Sequence, residues 1–223
     1  MVAAIEPIAD AVFAQAGEGA GESVDVRVAL PGGRLLSGTV PGVVGDTLRA
    51  VSYARVGPRH RLQAWVRLLA LTAAHPERSF DALTVGRVRR GAAGAVTVAR
   101  IPPLDAGEAR AELAVLLDLY DRGMREPAPL ACSTSAAYAG AGSNAARMAA
   151  DAWESTWNFD KEDRDREHLL VLGGERTFAE LCEQAPRPDE SGPGWDERDP
   201  TRFGRWARRM WDGLLRREEV REA

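Results

Sequence analysis

The chain has 223 residues, 28% of them charged and 45% hydrophobic, and a formal net charge of −4. That length supports one substantial core, or a core with a small lobe, and the composition is that of a folded protein rather than a disordered one. No apolar run approaches the ~18–20 residues that cross a bilayer, and the acidic balance opposes a free-standing, tight DNA binder, because phosphate neutralisation dominates such binding.

Residues 3–16 are predicted as an amphipathic helix with Ile5, Ile8, Val12 and Phe13 on one side, followed by a flexible GEGAG loop. Residues 24–30 alternate as a strand, and Pro31-Gly32-Gly33 turns it into the next strand from Arg34. Gly42 and Gly45 punctuate between that strand and another carrying Leu48, Val51 and Tyr53. Gly57-Pro58 opens a helix in which Leu62, Trp65, Val66, Leu68, Leu69 and Leu71 are apolar over most of the circumference, which places it centrally against a sheet.

Residues 82–90 and 95–101 form a second predicted hairpin around Gly91 to Gly94, with Arg87, Arg89, Arg90 and Arg100 on or near it. These arginines are either a solvated strand face or a ribbon that contacts phosphates. A helix over 105–124 is capped by Asp105 and boxed by Glu108, with Leu113, Leu116, Leu117 and Tyr120 as its stripe and Gly123 as its end. Ala-rich helical pieces follow at 133–140 and 143–154.

The mixed charges of 158–168 predict a solvated surface rather than a metal site, and 169–172 (LLVL) predicts a short buried strand. Thr177 caps a helix through Phe178, Leu181 and Cys182. Residues 185–199, rich in Pro, Gly and acid, read as a linker between a domain over 1–184 and a last helix within 200–223. Asp199-Pro200 starts that helix as N-cap and first residue, and Phe203, Trp206, Ala207, Met210, Trp211, Leu214 and Leu215 make its apolar repeat. The repeat packs back on the domain or docks on a partner, in which case Trp206, Met210 and Trp211 are the interface candidates.

Motif chemistry is sparse. Neither GxGxxG nor GxxxxGK[ST] occurs, the three histidines lack metal-binding spacing, and Ser133 and Ser135 sit in no nucleophile elbow. Lys161 is the only lysine among 29 basic residues, so any lysine-dependent site must use it. Cys132 and Cys182 have no CxxC spacing and read as small buried hydrophobes of a reducing compartment. The start MVAAIEPIADAVFAQAG has no basic n-region, so a secretory leader is not expected and a cytoplasmic location is.

The order strand, turn, strand, apolar helix over 34–74 resembles the core of the PD-(D/E)XK nucleases, whose two carboxylates hold a divalent metal beside a lysine. Laid on this chain, the first motif strand gives Gly38-Thr39-Val40-Pro41, the second Val51-Ser52-Tyr53-Ala54, and the helix Gln63-Ala64-Trp65. The carboxylate and lysine positions are thus taken by Pro41, Ser52 and Ala54, while Gln63 is retained. Taken alone, this segment fits an ordinary strand–strand–helix unit equally well.

The resemblance extends further. Pro102-Pro103-Leu104, Leu119 to Met124, Pro127 to Leu130, Thr134 to Tyr138 and the helix of Trp153 are similar to the C-terminal domain of the gamma chain (RecC) of exodeoxyribonuclease V, over roughly 24–216. It implies an α/β, restriction-endonuclease-like core, a mixed sheet flanked by helices, with a helical C-terminal extension. It also implies a domain with no cofactor and no catalysis of its own, in a helicase–nuclease that unwinds double-strand ends for recombination. The implied partners are the beta and alpha subunits, DNA ends and separated single strands, with no membrane. The gamma chain of that assembly splits the duplex and takes part in reading the Chi signal. A metal-dependent nuclease with an unusual site and a purely structural interaction module are the rival readings.

Overall fold

A computed structural model describes residues 6–16, 19–88 and 95–222. Strands β1 (Glu22–Leu30) and β2 (Arg34–Val44) pair antiparallel from Leu30↔Arg34 to Glu22↔Val43, as the alternation and the Pro-Gly-Gly turn require. Val24, Val26, Val28 and Leu30 are buried on one face, and across the pair Thr39 Oγ1 donates to Asp25 at 2.6 Å. Strand β3 (Thr47–Arg55) meets β2 at only two positions, Val43↔Leu48 and Val44↔Thr47, around a turn at Gly45-Asp46. Gly42 therefore lies inside β2 rather than between strands. Its φ of 86° and the 2.8 Å that would separate a Cβ from the Arg49 carbonyl oxygen make glycine necessary at this bend.

Helix α2 (Pro58–Ala74) crosses from β3 to β4 (Asp81–Arg87), which lies parallel to β3. Pro58 is its first residue, where a missing N–H costs nothing. Trp65, Leu68, Leu69 and Leu71 are fully buried, and each such side chain contributes about 1.5–3 kcal/mol on leaving water. Strand β5 (Val96–Ile101) returns antiparallel to β4, and the final β6 (Glu219–Glu222) pairs with β5, so the six strands run in the order β1-β2-β3-β4-β5-β6.

Helix α1 (Glu6–Ala16) buries Ile8 and Val12 against Leu83, Val85, Val96 and Val98. Phe13 does not join them and is half exposed; Ile5 lies outside the described residues.

The remaining helices are α3 (Ala106–Gly123), α4 (Cys132–Gly140), α5 (Ala145–Trp153), α6 (Arg166–Leu172), α7 (Phe178–Leu181) and α8 (Arg202–Leu215). The chain clusters into two compact units, Met1–Ala114 with Arg216–Ala223, and Val115–Leu215. This replaces the expected division into 1–184, a linker and a terminal helix.

The first unit is closed by its returning end. Arg61 clasps the buried Glu218 carboxylate through Nε (2.7 Å to Oε2) and Nη2, and Arg217 reaches Glu108 at 3.0 Å. Asp105 caps α3 by accepting from the Glu108 amide at 2.8 Å.

In the second unit the α8 stripe folds inward. Tyr138, Phe178 and Phe203 meet edge-on or tilted at 5.1–6.2 Å between centroids, and Leu119, Trp195 and Trp206 form a neighbouring cluster with Met210 at its margin. Trp206 and Trp211 are fully buried, their indole N–H groups donating to Glu190 (2.7 Å) and Ser135 (2.9 Å). These two are core residues, so the expected partner interface does not rest on Trp206 or Trp211; Met210 is only partly buried.

Several other expectations are corrected. Residues 169–172 are the end of helix α6, closed by Gly173 in the left-handed region (φ 73°), with the Gly174 amide returning to the Leu169 carbonyl at 3.0 Å. A four-residue apolar run does not itself distinguish strand from helix, and Leu170 is 83% exposed. Tyr120 is exposed and Leu119 is buried in its stead, and Gly123 ends α3 without a positive φ.

The 185–199 stretch is packed rather than a free linker. Glu190 is 1% exposed and accepts from Arg202 Nε at 2.7 Å, while Trp195 is buried beside Trp206. Asp199 does not cap α8; Thr201 does, accepting from the Gly204 amide at 3.0 Å. The buried Asp199 carboxylate instead receives the Tyr138 hydroxyl (3.0 Å) and Arg208 Nε (3.1 Å).

The charge run is partly structural too. Glu162 accepts from the Ser133 and Thr134 amides (2.8 Å each) at the start of α4, and the buried Asp163 accepts from the Ser155 amide and hydroxyl.

Candidate functional site

Strand β2 is held by β1 and strand β3 by β4, so beyond their two shared rungs the two strands diverge. Glycines let the backbones around the fork approach closely: Gly42 bends β2 over the Arg49 carbonyl, and at Gly86 of β4 a Cβ would stand 2.6 Å from the Ala54 oxygen and 2.9 Å from the Ser52 oxygen of β3. Helix α2 lies alongside, and the space between is a cleft of about 350 Å³. Pro41, Gly42, Leu48, Arg49, Ala50, Val51 and Ser52 line it from the strands, His60, Gln63, Ala64 and Arg67 from α2, and Thr84 from β4.

Three of the four positions singled out in the sequence, Pro41, Ser52 and Gln63, meet in this cleft. Ala54 is not in its lining; its amide donates to Ser52 Oγ at 3.0 Å, fixing that hydroxyl as an acceptor within its own strand. Among the described residues no acidic side chain lines the cleft, and no group of three or more His, Cys, Asp or Glu is placed to hold a metal.

The charges present are cationic. Arg49 spends one Nη on the Gly19 carbonyl (2.9 Å), and His60 Nδ1 accepts from the Gly57 amide at 3.2 Å, which leaves its Nε2 as the position for a proton. Sequence reading missed His60 and Arg67. Their signal was the spacing 60, 63, 67, three polar residues on one face of an otherwise largely apolar helix.

The two described hairpin arginines, Arg87 and Arg100, are not brought together. Arg87 pairs with Val96 and Arg100 with Leu83, so the two are four rungs apart, roughly 13 Å along the strands. Arg87 lies over the Tyr53 ring at 5.0 Å, and Arg100 is tied to Asp81 at 2.8 Å. Arg89 and Arg90 lie outside the described residues.

A mixed sheet with a crossing helix and a cleft at its strand fork defines a nuclease-like α/β fold, here without the carboxylates of a nuclease. Residues 1–143 match the RecC C-terminal domain, and the chain belongs to that family. It is 37% identical over 206 residues to the RecBCD enzyme subunit RecC of Mycolicibacterium smegmatis, covering 89% of this chain and 18% of that protein. It is 36% identical over 207 residues to the RecBCD enzyme subunit RecC of Mycobacterium tuberculosis, covering 90% and 18%. The chain therefore spans about a fifth of the length of these relatives. No helix among the described residues is long and apolar enough to cross a membrane.

Proposed function

We propose that this chain is a non-catalytic domain that serves DNA-end unwinding, strand separation and assembly of an exodeoxyribonuclease V in recombinational repair. The observation that carries the reading is the fork cleft, where Pro41, Ser52 and Gln63 converge with no carboxylate or lysine among the described residues that line it. Two metal-holding carboxylates are the minimum of the chemistry that such a cleft performs in an active nuclease. The expected partners are the beta and alpha subunits, double-stranded ends and the separated strands; the domain itself needs no cofactor.

The test has two parts. The purified chain, incubated with duplex and single-stranded DNA and magnesium or manganese, is expected to leave both intact; cleavage that vanishes in Gln63→Ala would overturn the non-catalytic reading. Pull-down with the beta and alpha subunits is expected to retain the chain, and failure to retain it at any salt concentration would overturn the assembly role.

A further inference from the structure

We infer that the fork cleft binds the phosphodiester backbone of a single nucleic-acid strand and holds it without cutting. The polar groups come from three elements. Helix α2 supplies Gln63, Arg67 and the ring of His60; strands β3 and β4 supply the polar side chains Ser52 and Thr84. Arg67 is the key group. It is half-buried at the cleft, yet has no hydrogen bond or ion pair among the described residues.

Several other arginines of this unit are paired. Arg61 is committed to Glu218, Arg78 to Asp46, Arg100 to Asp81 and Arg110 to the Ala73 carbonyl. A partly desolvated guanidinium with no counter-charge and no flanking acid among the described residues, beside neutral polar groups, selects an anion rich in acceptor oxygens.

Charge distribution favours a nucleic-acid backbone as the source of that anion. The unit that contains the cleft holds sixteen arginines and fourteen acidic residues, net +2, whereas the other holds thirteen basic and nineteen acidic residues, net −6. The cleft lies between a helix and two diverging strands, and its volume of about 350 Å³ fits a backbone segment and not a duplex. The choice of a strand as ligand rests on the DNA-processing role proposed above, whereas the anion site rests on the cleft alone.

Binding of a fluorescein-labelled oligothymidylate to the whole chain is read by anisotropy at about 50 mM salt, where phosphate contacts are strongest. The variants are Arg67→Glu, Arg67→Gln and, as a control with the same change of charge on the acidic unit, Arg147→Glu; melting curves confirm that each is folded. We expect Arg67→Glu to weaken binding at least ten-fold and Arg147→Glu less than two-fold, and Arg67→Gln to lower the salt slope by about 0.7. Equal weakening by the two charge reversals, or no binding by the parent chain, overturns the proposal. Binding of inorganic phosphate that Arg67→Gln abolishes, with no oligonucleotide binding, reassigns the site to a free anion and overturns the strand. Loss of subunit retention with oligonucleotide binding intact leaves the site standing and defeats only the assembly role.

Discussion

Replacing Glu190 by alanine isolates the interaction that pins the 185–199 stretch to α8. The carboxylate is 1% exposed and receives two donors at 2.7 Å, Arg202 Nε and the Trp206 indole N–H, while the Arg202 side chain is itself only 5% exposed. Removing one partner of a buried pair costs about 3–5 kcal/mol, because the survivor keeps its desolvation penalty. Arg202 retains Glu126 at 2.7 Å and Gln184 at 3.3 Å, which argues for the lower end, about 3 kcal/mol. In a unit of about 100 residues each kcal/mol moves Tm by roughly 4–8 °C, so a fall of at least about 12 °C is expected by circular dichroism. Tryptophan fluorescence should report the same transition, since Trp195 and Trp206 stand 5.9 Å apart at this site. Glu190→Gln keeps an acceptor for the indole and should fall between. Restoring an apolar pair with Glu190→Leu and Arg202→Met should recover much of the loss, because a matched hydrophobic replacement removes both desolvation costs. A Glu190→Ala protein that melts within about 2 °C of the parent would refute the reasoning.

Trp65→Ala should cost ~3–5 kcal/mol through lost burial and an incompletely collapsed cavity in the centre of α2, and an unshifted urea midpoint would show the helix to be peripheral. Burial, aided by the charge of Asp199, pushes the Cys182 thiol up to about 11. The unfolded thiol ionises first, so this contribution to stability is present below about pH 8.5 and is lost as pH rises toward 11. In a Cys132→Ser background, native Cys182 should therefore react with iodoacetamide at mildly alkaline pH far more slowly than in urea; equal rates would contradict the burial. Tyr138, pushed up to about 12 by burial first and by Asp199 as well, adds to the same alkaline loss, which a pH titration of Tm reads directly.

Much of the first unit was legible in local signals. The alternation of Val24 to Leu30 with its Pro-Gly-Gly turn, the Pro58 start of α2 and the Asp105 cap of α3 each act within a few residues, and each is present in the structure. The second unit was less legible, because its organising contacts are between distant polar groups. Nothing in the local sequence of Glu190 or Asp199 announces that one will hold Arg202 and Trp206 and the other Tyr138 and Arg208. A Pro-, Gly- and acid-rich composition then reads as a linker although Glu190, Trp195 and Asp199 within it are buried anchors.

The candidate site shows the same divide. Pro41, Ser52 and Gln63 were found from motif order, whereas Arg67 required the helix and the fork to be set side by side. The burial of α8 also changes what a deletion can show: removing residues 200–223 takes away Trp206, Trp211 and β6 together, so it tests folding before it tests docking.

The sheet order has a consequence for how the polypeptide is made. Strands β1 to β5 emerge from the ribosome before the second unit, whereas β6 follows the whole of it. Until residues 219–222 appear, the outer side of β5 is an open edge with Val96, Val98 and Ile101 behind it, a template for pairing with other nascent chains. The second unit is continuous in sequence, so all of it has emerged before β6 appears. Its folding shortens the loop that must close, and loop-closure entropy falls only slowly with length, by about 0.6 kcal/mol per halving. The larger gain comes from Arg61 and Glu218, whose bidentate pairing fixes the last strand as it arrives and seals the edge. A chain stalled or cleaved just before Glu218 would keep most of its core and lose this seal, and so would be the species most in need of a chaperone.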